Sequence, residues 1–265
     1  MYSFCVLSTF LCVHPRLLAL MIGAVPDYAN FSFSNPISVI DSDNPVELGK
    51  FSILDDDSVI SIEFSGGLLA GISIGGQVKI WQVSPRPDRP NWPLLRVLRD
   101  AEEEEIDEFL TGAFLPNGRF VVAGKRKLRH FWDEAAEDSK TLPGILKIFD
   151  LKTGQCIQRL GVHNITNTTE YVQEGHVDEI LFLKPIRTRK SGNFIVSCGQ
   201  DGRLCRWSFS DDWATFKGVR FVKLGKLAFH FEQISEELVA VAVDNGLIIY
   251  DILNMRVNDL FRDRI

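Results

Sequence analysis

His176, Ser197 and Asp201 lie close together in the chain and together are the residue types of acyl-transfer chemistry. A histidine that takes a serine proton, with an aspartate orienting the ring, is the nucleophile system of many hydrolases. That chemistry also needs an exposed serine and an oxyanion hole, and the sequence has no G-x-S-x-G elbow to present one. The five histidines, His14, His130, His163, His176 and His230, show no metal-ligand spacing. No glycine-rich phosphate loop precedes a helix. Glu102–Glu105, Asp107 and Glu108 form a run rather than a placed pair of carboxylates. It reads as a solvated acidic loop, or as a docking strip for a basic partner. The residues therefore argue against an enzyme, with no catalytic residue, metal, cofactor or small-molecule substrate expected.

Two basic clusters remain as candidate contacts. Lys125, Arg126, Lys127 and Arg129 stand beside His130 and Trp132. Cations around an aromatic anchor suit an acidic peptide or RNA phosphates. They equally suit a solvated hairpin tip. Arg187, Arg189 and Lys190 form the second cluster, and the same alternatives apply. A formal charge of −6, from 29 Lys plus Arg and 35 Asp plus Glu, argues against bulk electrostatic binding of nucleic acid.

Strands and tight turns must position these groups. The 265 residues are 45% apolar, enough for a packed core. Strand-length apolar runs recur: SVISIEF (58–64), LLAGISI (68–74), QVKIWQV (77–83), RFVVAG (119–124), ILKIFDL (145–151), QCIQRL (155–160), NFIVSC (193–198), LVAVAV (238–243) and LIIYDIL (247–253). Gly66-Gly67, Gly75-Gly76, Asn117-Gly118, Asp201-Gly202 and Asn245-Gly246 supply the turn residues of two-residue hairpins. No stretch of helical length carries an amphipathic stripe. The expected fold class is all-β, a series of antiparallel hairpins.

The hairpins form a longer repeat. Trp81, Phe149, Trp207 and Tyr250 each close a strand reached through a strand and a turn, at intervals of 68, 58 and 43 residues. A period near 40–45 residues with four strands marks a propeller blade. The longer intervals hold insertions at 85–108, 125–143 and 161–174. LRHFWD (128–133) competes with ILKIFD for the closing strand of the second unit. ILKIFD is preferred because a Lys-Thr-Gly turn and QCIQRL follow it. Arg126–Pro143 is then an exposed excursion.

With its complete unit from Gly175-His176 through Ser197 and Asp201-Gly202 to Trp207, the chain resembles the WD40-repeat family over about residues 50–261. The resemblance implies a hydrogen-bonded line of His176, Ser197, Asp201 and Trp207 across one blade, a structural tetrad in place of a catalytic triad. Other units depart from the pattern. Gly71 and Gly75 stand at the Ser and Asp positions of the first, and Tyr250 replaces Trp in the last. Residues 51–265 are expected to carry about four recognisable blades, incomplete or open. Residues 1–50 form an apolar N-terminal segment without a firm assignment, with 25–52 as part of a fifth blade. Residues 1–25 read as an uncertain chain start, a segment packed on the main domain, or a secretory signal or anchor. The low blade count leaves an incomplete product of a longer gene, a partner that completes the ring, or a smaller closed ring.

The resemblance implies a non-catalytic scaffold whose partners are proteins in a multi-subunit complex. Two alternatives are a ubiquitin-ligase substrate receptor and an RNA-binding subunit of a processing complex. The Trp-Asp-x-Arg end of such receptors is missing, since Ser208, Phe209 and Ser210 follow Trp207. Five cysteines, an odd count with no CxxC pair, fit a reducing intracellular compartment, nucleus or cytoplasm, and no membrane association is expected.

Overall fold

A computed structural model describes residues 59–73, 76–83, 92–99, 108–125, 144–161, 175–189, 192–244 and 246–257 with their side chains. It describes further strands between 9 and 51 and between 163 and 172 as backbone. Hairpin follows hairpin. β1 (Thr9–His14) and β2 (Leu17–Met21) precede a separate small hairpin of β3 (Val25–Asp27) and β4 (Ser32–Ser34). β5 (Ile37–Asp41) and β6 (Glu47–Phe51) then complete the first four-stranded sheet, in the order β1-β2-β5-β6. The second sheet is β7 (Val59–Ser65), β8 (Leu68–Ser73), β9 (Val78–Gln82) and β10 (Leu94–Leu98). The third is β11 (Glu108–Leu115), β12 (Arg119–Lys125), β13 (Gly144–Asp150) and β14 (Cys156–Leu160). After a hairpin of β15 (His163–Asn164) and β16 (Tyr171–Val172) comes the fourth: β17 (Ile180–Thr188), β18 (Gly192–Gly199), β19 (Arg203–Phe209) and β20 (Phe216–Lys223). The fifth is β21 (Ala228–Gln233), β22 (Leu238–Val243), β23 (Gly246–Asp251) and β24 (Arg256–Val257). Every pairing inside these sheets is antiparallel.

The sheets stand as successive blades. Their first strands pack in a row, β1 on β7, β7 on β11, β11 on β17 and β17 on β21. Among the described residues β1 and β21 do not make such a pair, so the row is unclosed. The core lies in slabs between blades. Ile72, Ile80, Phe120 and Phe149 join the second to the third. Leu146, Ile148, Leu183 and Trp207 join the third to the fourth. Val196, Leu204, Phe231 and Tyr250 join the fourth to the fifth. Each such side chain taken out of water contributes roughly 1.5–3 kcal/mol, so two-sided burial stabilises the blades without helices.

Local geometry recurs between blades. The pairing of first and second strands slips at Val59/Ser61, Phe109/Thr111, Ile180/Phe182 and Ala228/His230, a bulge near the start of the first strand in the second to fifth blades. Gly124 and Gly199 lie opposite that slip in two blades. A Cβ there would strike the carbonyl oxygens of Glu108 and Glu179 respectively. At the β11–β12 turn, Asn117 and Gly118 adopt φ of 64° and 68°, the left-handed pair a tight hairpin demands.

Several expectations are revised. Leu94–Leu98, inside the stretch read as an insertion, is the outer strand of the second blade. The first sheet begins at Thr9, upstream of the expected 25–52. The break His14-Pro15-Arg16 falls where β1 gives way to β2, so the apolar start divides into two strands. Arg187 sits within β17 rather than in the loop after it. ILKIFD is the strand paired with β12, while LRHFWD lies outside the described residues.

Candidate functional site

The His176–Ser197–Asp201 constellation assembles in the fourth blade. Gly175 and His176 precede β17, Ser197 lies in β18, Asp201 occupies the β18–β19 turn, and Trp207 lies in β19. Trp207 Nε1–H donates to Ser197 Oγ at 2.8 Å. The Ser197 hydroxyl donates to His176 Nε2 at 2.9 Å, and His176 Nδ1–H donates to Asp201 Oδ1 at 2.9 Å. This assignment follows from chemistry: indole is only a donor, so the serine oxygen accepts from it and its own proton goes to the ring. Asp201 also accepts the backbone N–H of Val177 at 2.8 Å and of Arg203 at 3.0 Å. Burial alone would raise the Asp201 carboxyl. The hydrogen bond and charge of His176 and the two backbone donors outweigh it and hold the carboxyl below the usual range.

Glycines admit the line. Gly175, at φ 103°, has no Cβ where one would strike the Trp207 indole. On the third blade, a Cβ at Gly144 would come within 2.8 Å of His176 Cβ. The Arg203 guanidinium donates to the Gly175 carbonyl and lies 4.3 Å from the Phe221 ring centroid, covering the line from the outside.

The connectivity is that of a hydrolase triad, and the location removes the function. His176 and Ser197 are 0% exposed and Trp207 is 1% exposed. A serine enclosed by an indole, an imidazole and an apolar core meets no substrate. Cys198 and Cys205 are buried beside it, and burial pushes the Cys198 thiol up to about 12 and raises Cys205 as well, away from thiolate chemistry. Among the described residues no group of His, Cys, Asp and Glu could hold a metal ion.

The first basic cluster is only partly visible. Lys125 ends β12, half-buried, facing Glu108 and Gly144 in register. Arg126, Lys127, Arg129 and Trp132 lie outside the described residues, as do Glu102–Glu105 and Asp107. In the second cluster Arg187 and Arg189 are exposed on one face of the β17 end, and Lys190 lies outside the described residues. These two arginines line a groove of about 860 Å³.

Two features were not read from sequence. Charged side chains from three first strands gather along the inner row. Lys184 of β17 pairs with Glu232 of β21, and His230 Nε2 lies 3.9 Å from the same carboxylate. Burial raises Glu63 of β7 to about 7, against the opposing charge of Lys184. Glu63 is the one charge in β7, Lys184 shares β17 with Arg187, and His230 and Glu232 share β21; no motif marks any of them. The second feature is Arg206, whose guanidinium lies 4.9 Å from the Phe194 ring centroid. Its Nη1 donates to the carbonyls of Ile252 at 2.8 Å and Leu253 at 2.6 Å, fastening the fourth blade to the fifth. A cation beside the closing aromatic was its only sequence signal.

Consecutive antiparallel blades, an inner row of first strands and one polar line per complete repeat define the class: the chain has the WD40-type β-propeller fold. Solved structures agree. Sqt1 of Saccharomyces cerevisiae superposes at TM-score 0.56 with 15% identity, covering 92% of this chain and 59% of that one. The WD40 repeats of RRP9 superpose at 0.59 with 13% identity, covering 94% and 64%. U3-55K superposes at 0.59 with 13% identity, covering 94% and 65%. The chain thus spans less than two thirds of the length of these propellers. No protein-family model matches the sequence, and no curated protein matches it either. Among the described residues no helix is long and apolar enough to cross a membrane.

Proposed function

We propose that the chain is a non-catalytic interaction scaffold that presents its blade edges and turns to protein partners. The carrying observation is a division of polar groups. Among the described residues, the constellation with nucleophile chemistry is sealed in the fourth blade. Arg187 and Arg189, by contrast, are exposed at the end of β17, where they line a groove open to solvent. Rigid sheets with variable turns suit recognition, and chemistry would need the reverse distribution. The cluster of Lys125, Arg126, Lys127, Arg129 and Trp132 is a second candidate contact.

Affinity purification of the tagged chain from its native cells, in moderate salt, tests the reading. A stoichiometric set of co-purifying proteins is the expected result. Recovery of the folded chain alone would overturn it. So would a hydrolase activity that Ser197→Ala abolishes while the fold persists.

A further inference from the structure

The groove beside Arg187 and Arg189 has the chemistry of a binding site. The β17–β18 hairpin forms one wall and the turn after β19 another, with Asp211 on it and Lys217 just beyond. The β21–β22 turn brings Glu236 from the fifth blade. The site therefore exists only where two blades meet. Its volume of about 860 Å³ lies within the range that holds a drug-sized ligand or a short run of peptide.

The base of the groove is fixed. Asn193 is 2% exposed, and its side-chain amide donates to the carbonyls of Ser210 at 3.0 Å and Asp211 at 2.7 Å. That pair of bonds pins the turn carrying Asp211 against β18. The cations are poorly matched by comparison. Arg189 Nε lies 3.4 Å from Glu236 Oε1, an exposed contact that stabilises little. Among the described residues, neither the Arg187 nor the Lys217 side chain has a hydrogen-bond or ion-pair partner. Two unpaired cations converging on a concavity, in a chain of net charge −6, call for an anion from outside.

We infer that this groove binds an acidic peptide segment of a partner protein, with a side-chain carboxylate seated between Arg187 and Lys217. Guanidinium takes a carboxylate in a two-pronged contact, and the lysine adds a point charge. Asp211 and Glu236 oppose a second negative charge at the same spot, which favours a single carboxylate over a phosphate dianion. They also offer acceptors to the backbone N–H groups of the bound segment. The inference deepens the scaffold reading by naming the chemistry of one partner.

The test is a fluorescence-polarisation titration of the full chain with a fluorescein-labelled, end-blocked tetraglutamate peptide. Saturable binding is expected, weakened about tenfold or more by Arg187→Glu or Lys217→Glu. The control Arg220→Glu makes the same charge change on the exposed part of β20 outside the groove and is expected to leave binding within about twofold. Asp211→Asn is expected to tighten binding. Thermal melts of each variant confirm that the fold persists. No saturable binding, or equal losses in Arg187→Glu and Arg220→Glu, would overturn the site. Inorganic phosphate displacing the peptide better than free glutamate would overturn the choice of carboxylate. Co-purifying partners with no peptide binding would remove this site and leave the scaffold reading intact; peptide binding without partners would do the opposite.

Discussion

In the fourth blade Trp207 faces Ile195, and two residues on stands Ser197; in the fifth Tyr250 faces Val239, and two residues on stands Val241. The turn aspartates correspond as well. Asp201 accepts from the N–H of Val177 at 2.8 Å, and Asp244 accepts from the N–H of Leu227 at 3.3 Å. Yet the Asp201 side chain is 1% exposed, while Asp244 is an exposed residue. The backbone task of the aspartate, joining the second turn to the approach of the first strand, survives in both. Only the fourth blade adds a histidine, a serine and an indole, and only there is the carboxylate enclosed. A buried polar line is tolerable when every member has a partner, and an apolar set performs the same spacing task without one.

Truncations should expose this difference most strongly. Trp207→Ala is expected to cost about 3–5 kcal/mol, combining a cavity with a serine stripped of its donor. His176→Ala is expected to cost about 2–4 kcal/mol, since Ser197 and Asp201 lose partners without access to water. Chemical denaturation measures both, and two variants that unfold like the parent chain would refute the role given to the line.

Replacing Ser197 by Val, the residue type of the fifth blade, is expected to cost about 1–3 kcal/mol because the indole and imidazole are left unmatched. Adding His176→Leu and Trp207→Tyr completes the apolar set and should recover part of that loss. A triple variant no better than Ser197→Val would show that the line contributes more than mutual satisfaction.

Acid should separate the blades by sign. The Asp201 carboxyl is held below its ordinary value when folded. Its contribution is therefore present above the unfolded value and is lost as pH falls through the lowered one. Asp201→Asn should flatten the acid limb of a stability–pH profile more than Asp244→Asn does; equal effects would mean that the enclosed line is electrostatically ordinary. Glu63 runs the other way. Raised from 4.5 to about 7, it favours the folded state at low pH and loses that contribution as pH rises through about 7. Glu63→Gln should remove the decline between these values, and an unchanged profile would count against its burial. The smallest effect is expected from Arg126→Glu with Arg129→Glu, within about 0.5 kcal/mol of the parent stability. Reduced partner recovery from that pair would support the contact proposed there, and unchanged recovery would remove it.

The legible parts of the sequence were the central hairpins. β8–β9, β18–β19 and β22–β23 combine near-continuous apolar runs with glycine turns and a closing aromatic; β8 and β18 are buried on both faces between two blades, while β22, in the last blade of the row, alternates between buried and half-buried positions. Outer strands were harder to see. β10 is apolar in four of five positions but leaves Leu94 and Leu95 exposed, and β20 has no buried position, so neither shows the alternation of a strand with one buried face. Among first strands β7 was read despite its bulge, whereas β11 and β17 were not; there the slip at Phe109/Thr111 and Ile180/Phe182 breaks the two-residue alternation. For the candidate site, the residues of the polar line were named from the chain, but its enclosure is a property of packing against Gly144 and Trp207. The groove at Arg187 was only half legible, because Asp211, Lys217 and Glu236 reach it from other turns.

The inner row of first strands also has a consequence for how the chain acquires its structure. The second to fifth blades are built of hairpins from consecutive strands, and among the described residues the first strands pack on those of the blades next to them in sequence. Contacts of this kind carry little loop-closure cost, so blades can form one at a time as synthesis proceeds. Energetically the molecule approximates a one-dimensional lattice, with a term for each unit and a term for each junction. On that lattice the fourth unit, braced by Trp207, is joined to the fifth through Arg206, and its middle strands are buried almost throughout. Amide hydrogen exchange is therefore expected to be slowest in β18 and β19 and to quicken outward along the row in both directions.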